Sequence, residues 1–367
     1  MRIIFDNYTY GLIKTSYLKF LIITDEEYNK LKVIKDSNEL IQKLERYFPT
    51  ISELKELNLV SIEKKLLIIY FKIISKLIPY FPIQYQSFLK NILERFEIWN
   101  VKMFIMGKLI NLDEQKLKDE IFLEVERILD RNKFIQKLLS CNSIDDAIDF
   151  LKKQDKYKDV IERGWEFYNK TKEIFLLENL LDKLFVERIM QYIEDFKGKE
   201  RILFEIYVDT LIERYNLVLI FRGIKNKINF ELLNQLIVPK INILTLQELQ
   251  YLAQSSDEKE FINRLNNIEK KHKMISINSK FWVENIYLYK LLEFKKKSEI
   301  IQYSTEDPLT GFILQLNRRL INILNAKGEF DIKYMAIKNS LNLILRKEID
   351  VYKVLKLFVK IFHKIEN

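Results

Sequence analysis

Glycine and proline are scarce in this chain, with seven and five in 367 residues, where average usage would give about 26 and about 18. Few breakers beside 48% apolar and 31% charged residues predict long helices joined by short links, with few left-handed turns and no need for a strand. The glycines stand singly, at 11, 107, 164, 198, 223, 311 and 328. That scatter excludes the clustered glycines of a Walker A loop or a dinucleotide fingerprint. The single cysteine, Cys141, cannot close an internal disulfide. The two histidines, His272 and His363, cannot complete a Cys/His zinc cage. Both lie in lysine-rich runs that do nothing to orient an imidazole for catalysis. The carboxylate pairs Glu26/Glu27 and Asp145/Asp146 fall at expected helix N-termini, where they offset the helix dipole. The sequence therefore offers no catalytic residue and no cofactor or metal site, and the chain is not expected to be an enzyme. The start of the chain lacks the apolar core of an export signal. The most apolar stretch, from Leu66 to Ile83, is interrupted by Lys72, Lys76, Pro79 and Pro82, which predicts a soluble chain in a reducing compartment.

What the chain does hold is aromatic and charged. The 25 Phe and 19 Tyr are far too many for an unfolded chain, and the length suggests two or three units. The net charge is +9, but its 61 basic and 52 acidic residues are interspersed throughout. Solvated helix faces give that pattern, whereas a surface tracking phosphates would be segregated, so no nucleic-acid partner is expected.

Helix starts are legible as capping boxes, in which a side-chain oxygen and an acid three residues on satisfy otherwise orphan N–H groups. Thr24 with Glu27 and Asp36 with Glu39 recur 221 residues later as Thr245 with Glu248 and Asp257 with Glu260. The apolar positions between them coincide: Leu31 with Leu252, Leu40 with Phe261, Ile41 with Ile262, Leu44 with Leu265. A shift of 107 finds Ser143 with Asp146, then Ala147, Ile148 and Leu151, although Arg131 replaces the first cap. A second pattern closes each unit. Glu97, Asn100, Val101, Phe104, Gly107 and Lys108 recur after 116 residues as Glu213, Asn216, Leu217, Ile220 and Gly223, with Arg222 beside the glycine. After 219 residues Leu320, Ile323, Ala326 and Lys327 match, while Leu316 and Arg319 replace the Glu and Asn.

These marks divide the chain into helical units at 1–122, 123–237 and 238–345, followed by an amphipathic tail helix at 346–367. Long helices are expected over 62–77, 84–109, 114–139, 155–196, 200–225, 280–297 and 308–327. The tail sets Lys353, Lys356, Lys360 and Lys364 against Val354, Leu355, Phe358, Phe362 and Ile365. It is expected to pack on the third unit, with a membrane-surface contact as the alternative.

The order and spacing of these elements, from the Tyr10-Gly11 helix and the capped pair at 24–44 to the Glu97–Lys108 and Asn216–Gly223 helices, resemble the rotary vacuolar-type and archaeal-type ATPase family. There the equivalent chain is called C in prokaryotic complexes and d in eukaryotic ones. Met106, Leu316, Arg319 and Ile224 depart from the repeated pattern. The resemblance implies an all-α fold of three related domains, pseudo-threefold, forming a funnel around a central hole. It implies a non-catalytic central-stalk subunit, one copy per complex, between the membrane proteolipid (c/K) ring and the central shaft subunits D and F, coupling rotation to ion transport. Such a protein is peripheral, on the cytoplasmic side of the membrane, and meets that membrane's surface only indirectly. Asn100, Lys108, Asn216, Arg222 and Lys327 are then candidate interface residues, or polar ties between helices. The second reading, from composition alone, is a basic helical scaffold or nucleic-acid-binding protein.

Overall fold

The computed structural model describes residues 7–239, 244–271, 321 and 332–365. Among these residues every regular element is a helix. In chain order they are α1 (Asn7–Leu18), α2 (Asp25–Leu31), α3 (Ser37–Leu44), α4 (Leu59–Leu77), α5 (Ile83–Leu109), α6 (Glu114–Glu120), α7 (Leu123–Ile128) and α8 (Asn132–Leu139). There follow α9 (Ile144–Lys152), α10 (Lys158–Thr171), α11 (Phe175–Glu194), α12 (Gly198–Lys225), α13 (Phe230–Leu236), α14 (Leu246–Ala253), α15 (Glu258–Lys271) and α16 (Ile332–Ile365). The helices expected over 280–297 and 308–327 lie outside the described residues.

The caps are formed as the spacing predicts. Thr24, Ser143 and Thr245 each make a complete reciprocal capping box, and Asp36 accepts from the Glu39 N–H. Asp257 does the same for Glu260 at 2.7 Å. Leu31, Leu40, Leu44, Ala147, Ile148, Leu151, Leu252, Phe261 and Leu265 are buried, while the matched pair Ile41 and Ile262 is half-buried against the core.

The two long helices α5 and α12 end identically, 116 residues apart. The Leu112 N–H reaches back to the Gly107 carbonyl at 2.8 Å, and the Ile228 N–H to the Gly223 carbonyl at 2.9 Å. The left-handed residue in each ending is Asn111 (φ 52°) and Lys227 (φ 55°), which closes the last turn in a Schellman-type bond. Asp113 and Asn229 then cap α6 and α13. Each glycine admits a leucine of that short helix. A methyl group on Gly107 would meet Leu117 Cδ1 at 2.6 Å, and one on Gly223 would meet Leu233 Cδ2 at 2.2 Å.

Three expectations are corrected. The span 114–139 is three helices, not one, because Phe122 takes a non-helical backbone after α6 and Asp130 is left-handed at φ 60°. The span 155–196 breaks at Lys172, also left-handed at φ 59°. Left-handed turns are thus present despite the glycine shortage: Thr50, Asn111, Asp130, Lys172 and Lys227 take them, beside Gly198 alone among the described glycines. Finally, α16 runs unbroken through residue 346, so a boundary there falls inside a helix. It packs on α1 and α4 and touches α12, and so returns the end of the chain to its beginning.

That return is held by a buried polar pair. Lys347 Nζ donates to the carbonyls of Leu21 (2.9 Å) and Tyr47 (2.8 Å), with Asp350 Oδ2 at 3.8 Å. Asp350 accepts from the Ile23 N–H at 3.0 Å. Burial pushes Lys347 down to about 7 against the attraction of Asp350, and pushes Asp350 up to about 6 against Lys347 and the Ile23 N–H. The consequences for stability have opposite signs. Asp350, raised above its ordinary 3.8, contributes stability present at low pH and lost as pH rises through about 6. Lys347, lowered below 10.5, penalises the fold while charged in both states, and stability rises as pH climbs from about 7 towards 10.5. Thermal melts are expected to show the pair's contribution lowest between about pH 6 and 7, with a gain on the alkaline side on the order of a few kcal/mol. Lys347→Met should abolish that gain. An alkaline limb unchanged in the variant would contradict this assignment.

Candidate functional site

Residues marked by the repeat are interior ties. Asn100 and Asn216 are wholly buried. Asn100 Nδ2 donates to the Phe122 carbonyl at 3.2 Å, and its Oδ1 accepts from the Phe122 N–H at 2.7 Å. Asn216 makes the same two bonds to Val238, at 2.9 Å each. Each clamps a residue 22 positions on, just past the short helix α6 or α13, and pairs a buried N–H of backbone leaving a helix; the Phe122 carbonyl accepts from the Val125 N–H as well. Arg222, 2% exposed, pairs with Glu178 at 2.6 Å between α12 and α11. In the first unit Met106 and Ile62 occupy the corresponding places and are both buried, an apolar solution to the same packing position. Lys108 is half-buried and donates to the Asn142 carbonyl at 3.3 Å. Lys327 lies outside the described residues. Of the two readings of Asn100, Asn216 and Arg222, the bonds described here are those of polar ties between helices of the same chain.

The seam between α5 and the residues around α8 to α11 is ionic. Glu97 accepts from the Tyr157 hydroxyl at 2.6 Å and from Lys156 Nζ at 3.0 Å, and Arg131 Nε lies 3.5 Å away. Glu94 takes Lys156 and Arg188, both at 3.1 Å. Glu126, wholly buried, accepts from Asn100 at 2.7 Å. Burial, reinforced by the Glu97 charge, pushes Glu126 up to about 8, so at neutral pH it is mostly protonated.

Where α4, α5, α11, α12 and α16 converge they leave a cavity of about 190 Å³. Its walls are largely apolar, with Leu67, Phe96, Trp99, Phe185 and Val218 among them. At its charged end, Glu348 receives Arg214 at 2.8 Å and Arg95 at 3.2 Å. Arg214 also donates to the Tyr352 hydroxyl at 3.1 Å, and Lys102 pairs with Asp182 at 2.6 Å. Burial would raise the Glu348 carboxyl, but Arg95 and Arg214 reverse that and hold it below the usual carboxylate range. With Arg222 met by Glu178 behind the wall, Arg95, Arg214 and Lys102 face Glu348 and Asp182 in this lining, an excess of one positive charge. A cavity of this volume holds a side chain or a few waters, and an α-helix some 10 Å across cannot enter. It offers no nucleophile poised beside a base. Among the described residues no cluster of three His, Cys, Asp or Glu side chains could hold a metal.

Sequence reading did not single out Arg95, Arg214 or Glu348, since each looks like one more charge on a solvated helix. One signal was present: Glu348 is the first acid after the acid-free run 332–347.

Two comparisons agree with this architecture. The family model described as ATP synthase (C/AC39) subunit matches residues 14–312. The C subunit of the A-type ATP synthase of Pyrococcus furiosus is 22% identical over 241 residues, covering 63% of this chain and 60% of that protein. Its counterpart from Pyrococcus horikoshii is 20% identical over 259 residues, covering 68% and 65%. That of Halorubrum lacusprofundi is 30% identical over 98 residues, 27% of each chain. The match to the two Pyrococcus proteins thus spans less than two thirds of their length.

Proposed function

Because the chain belongs to the ATP synthase (C/AC39) subunit family, a family of accessory subunits without catalysis of their own, we propose that it couples the rotating shaft of an A/V-type ATPase to the proteolipid ring. The observation that carries this reading is the family match across residues 14–312. In this role the chain sits as one copy on the cytoplasmic side of the membrane, with the ring below and shaft subunits D and F above. Among the described residues no helix is long and apolar enough to cross a membrane, which accords with a peripheral position.

The physical demands of torque transmission are stiffness and area, and the interior supplies the first. Close-packed helices deform little. The paired Asn clamps, the leucine seats at Gly107 and Gly223 and the ionic seam at Glu94 and Glu97 tie α5 and α12 to their neighbours at fixed registers. We take the units 1–122 and 123–237, a third beginning at 238, and the closing helix α16 to be arranged about a central hole, as a funnel. A lasting contact with ring and shaft calls for more than about 1,000 Å² of interface at each.

Affinity purification of the tagged chain from mildly solubilised membranes of its own cells tests this reading. Proteolipid and shaft subunits are expected in the eluate. Recovery of the ATPase from those cells without this chain would contradict it.

A further inference from the structure

α1 is apolar on two opposite faces. Its inner face, with Tyr8, Gly11, Thr15 and Leu18, is buried. Its outer face carries Tyr10, Ile13, Tyr17 and, just beyond the helix, Phe20, which are 47%, 60%, 64% and 48% exposed. The stripe extends onto the turn after α4. Lys14 Nζ lies 5.4 Å from the Tyr17 ring and 5.2 Å from the Tyr80 ring, and Ile83 beyond that turn is 73% exposed. A rimmed apolar patch marks an interaction surface.

The charge around this stripe is one-sided. Segments 7–24, 64–93 and 332–347, which contain α1 and stretches of α4, α5 and α16, hold no Asp or Glu, in a chain where 52 of 367 residues are acidic. Lys19, Lys72, Lys76 and Arg346 are exposed there. Other lysines of these segments take acids from elsewhere, Lys65 from Glu53, Lys90 from Asp130 and Lys333 from Glu200.

We propose that the outer face of α1, with Tyr80, Ile83, Lys72 and Lys76, rests on an anionic phospholipid surface. Exposed isoleucines fit the boundary between headgroups and acyl chains, tyrosines fit the headgroup level, and lysines meet lipid phosphates. The rings of Tyr10, Tyr17, Phe20 and Tyr80 are also able to stack on bases, so single-stranded RNA is the competing ligand in the test. The alternative of a membrane contact by the terminal helix is not taken up, because α16 is buried along most of its length and Lys353 is engaged by Asp25 at 3.1 Å. The proposal rests on the reading of a membrane-peripheral subunit and makes its lipid contact direct.

Co-sedimentation of the full chain with vesicles tests it, using phosphatidylcholine alone and phosphatidylcholine with about one third phosphatidylglycerol. The chain is expected to prefer the anionic vesicles at least about tenfold and to release at high salt. Ile13→Glu with Ile83→Glu, and separately Lys72→Glu with Lys76→Glu, should each lower that binding about tenfold or more while circular dichroism melts stay unchanged. Val33→Glu, at an exposed apolar position outside the three segments, should bind as the parent does. Equal binding to both vesicles, retention by the folded double variants, or stronger binding to single-stranded RNA than to anionic vesicles would overturn the proposal. The vesicles contain no ATPase subunit, so such a failure leaves the purification result standing, and the converse also holds.

Discussion

Glu348→Gln is expected to destabilise the fold by about 3 to 5 kcal/mol, the loss typical of removing one member from a buried ionic group. The carboxylate is 7% exposed and is the acceptor shared by Arg95 and Arg214. Glutamine keeps the shape but leaves two guanidiniums near each other, each disfavouring the other's charge. The amide oxygen still accepts from the guanidiniums, and Arg95 keeps the Tyr70 hydroxyl at 3.4 Å and Arg214 the Tyr352 hydroxyl, but none of these acceptors carries a charge. Because these side chains join α5, α12 and α16, the loss is felt between units and at the returning end of the chain. Urea denaturation should show it as a lower midpoint. Replacing Arg95, Arg214 and Glu348 together by leucine should restore much of the loss, since a packed apolar set avoids desolvating three charges. A single variant within about 0.5 kcal/mol of the parent, the range of an ordinary surface change, would show that the cluster is not a structural tie.

The second large effect is paired. Asn100→Ala and Asn216→Ala should each cost about 2 to 4 kcal/mol, because each takes both side-chain bonds from a buried backbone residue, although the Phe122 carbonyl keeps the Val125 N–H. Asn100 should be the more severe. It also donates to Glu126, whose second carboxylate oxygen already has no partner among the described residues. Hydrogen exchange gives the local readout: protection of the Phe122 amide should fall in the first variant and that of Val238 in the second, each leaving the other intact. The sites lie in different units, so the double variant should be near additive. Unchanged protection at both amides would mean that the clamps carry no load.

These ties explain what could and could not be read from the sequence. Capping boxes at Thr24, Ser143 and Thr245 are local, since cap and acid lie three residues apart, and all three form. Gly107 and Gly223 were legible as close-packing positions because they fall at one place in two matched helices. The breaks at Asp130 and Lys172 were not legible, because glycine is the usual mark of a left-handed residue and this chain uses Asp or Lys there instead, at a cost of roughly 1 kcal/mol or more. The break at Phe122, where φ is −90°, is held by the Asn100 clamp from 22 positions away. The docking of α16 on α1 and α4 was equally hidden. Its anchors, Lys347 on the Leu21 and Tyr47 carbonyls and Asp350 on the Ile23 N–H, join opposite ends of the chain. The cationic cavity needs five helices to assemble, and no spacing in the sequence reports that.

The coupling role is tested most directly by reconstituting the ATPase into vesicles with and without this chain and following ATP hydrolysis and ATP-driven ion uptake together. With the chain present, both should proceed. Without it, hydrolysis by the catalytic head should continue while ion uptake falls to background, and adding the purified chain back should restore uptake. Ion uptake that persists at full rate in vesicles lacking the chain would contradict the proposed coupling.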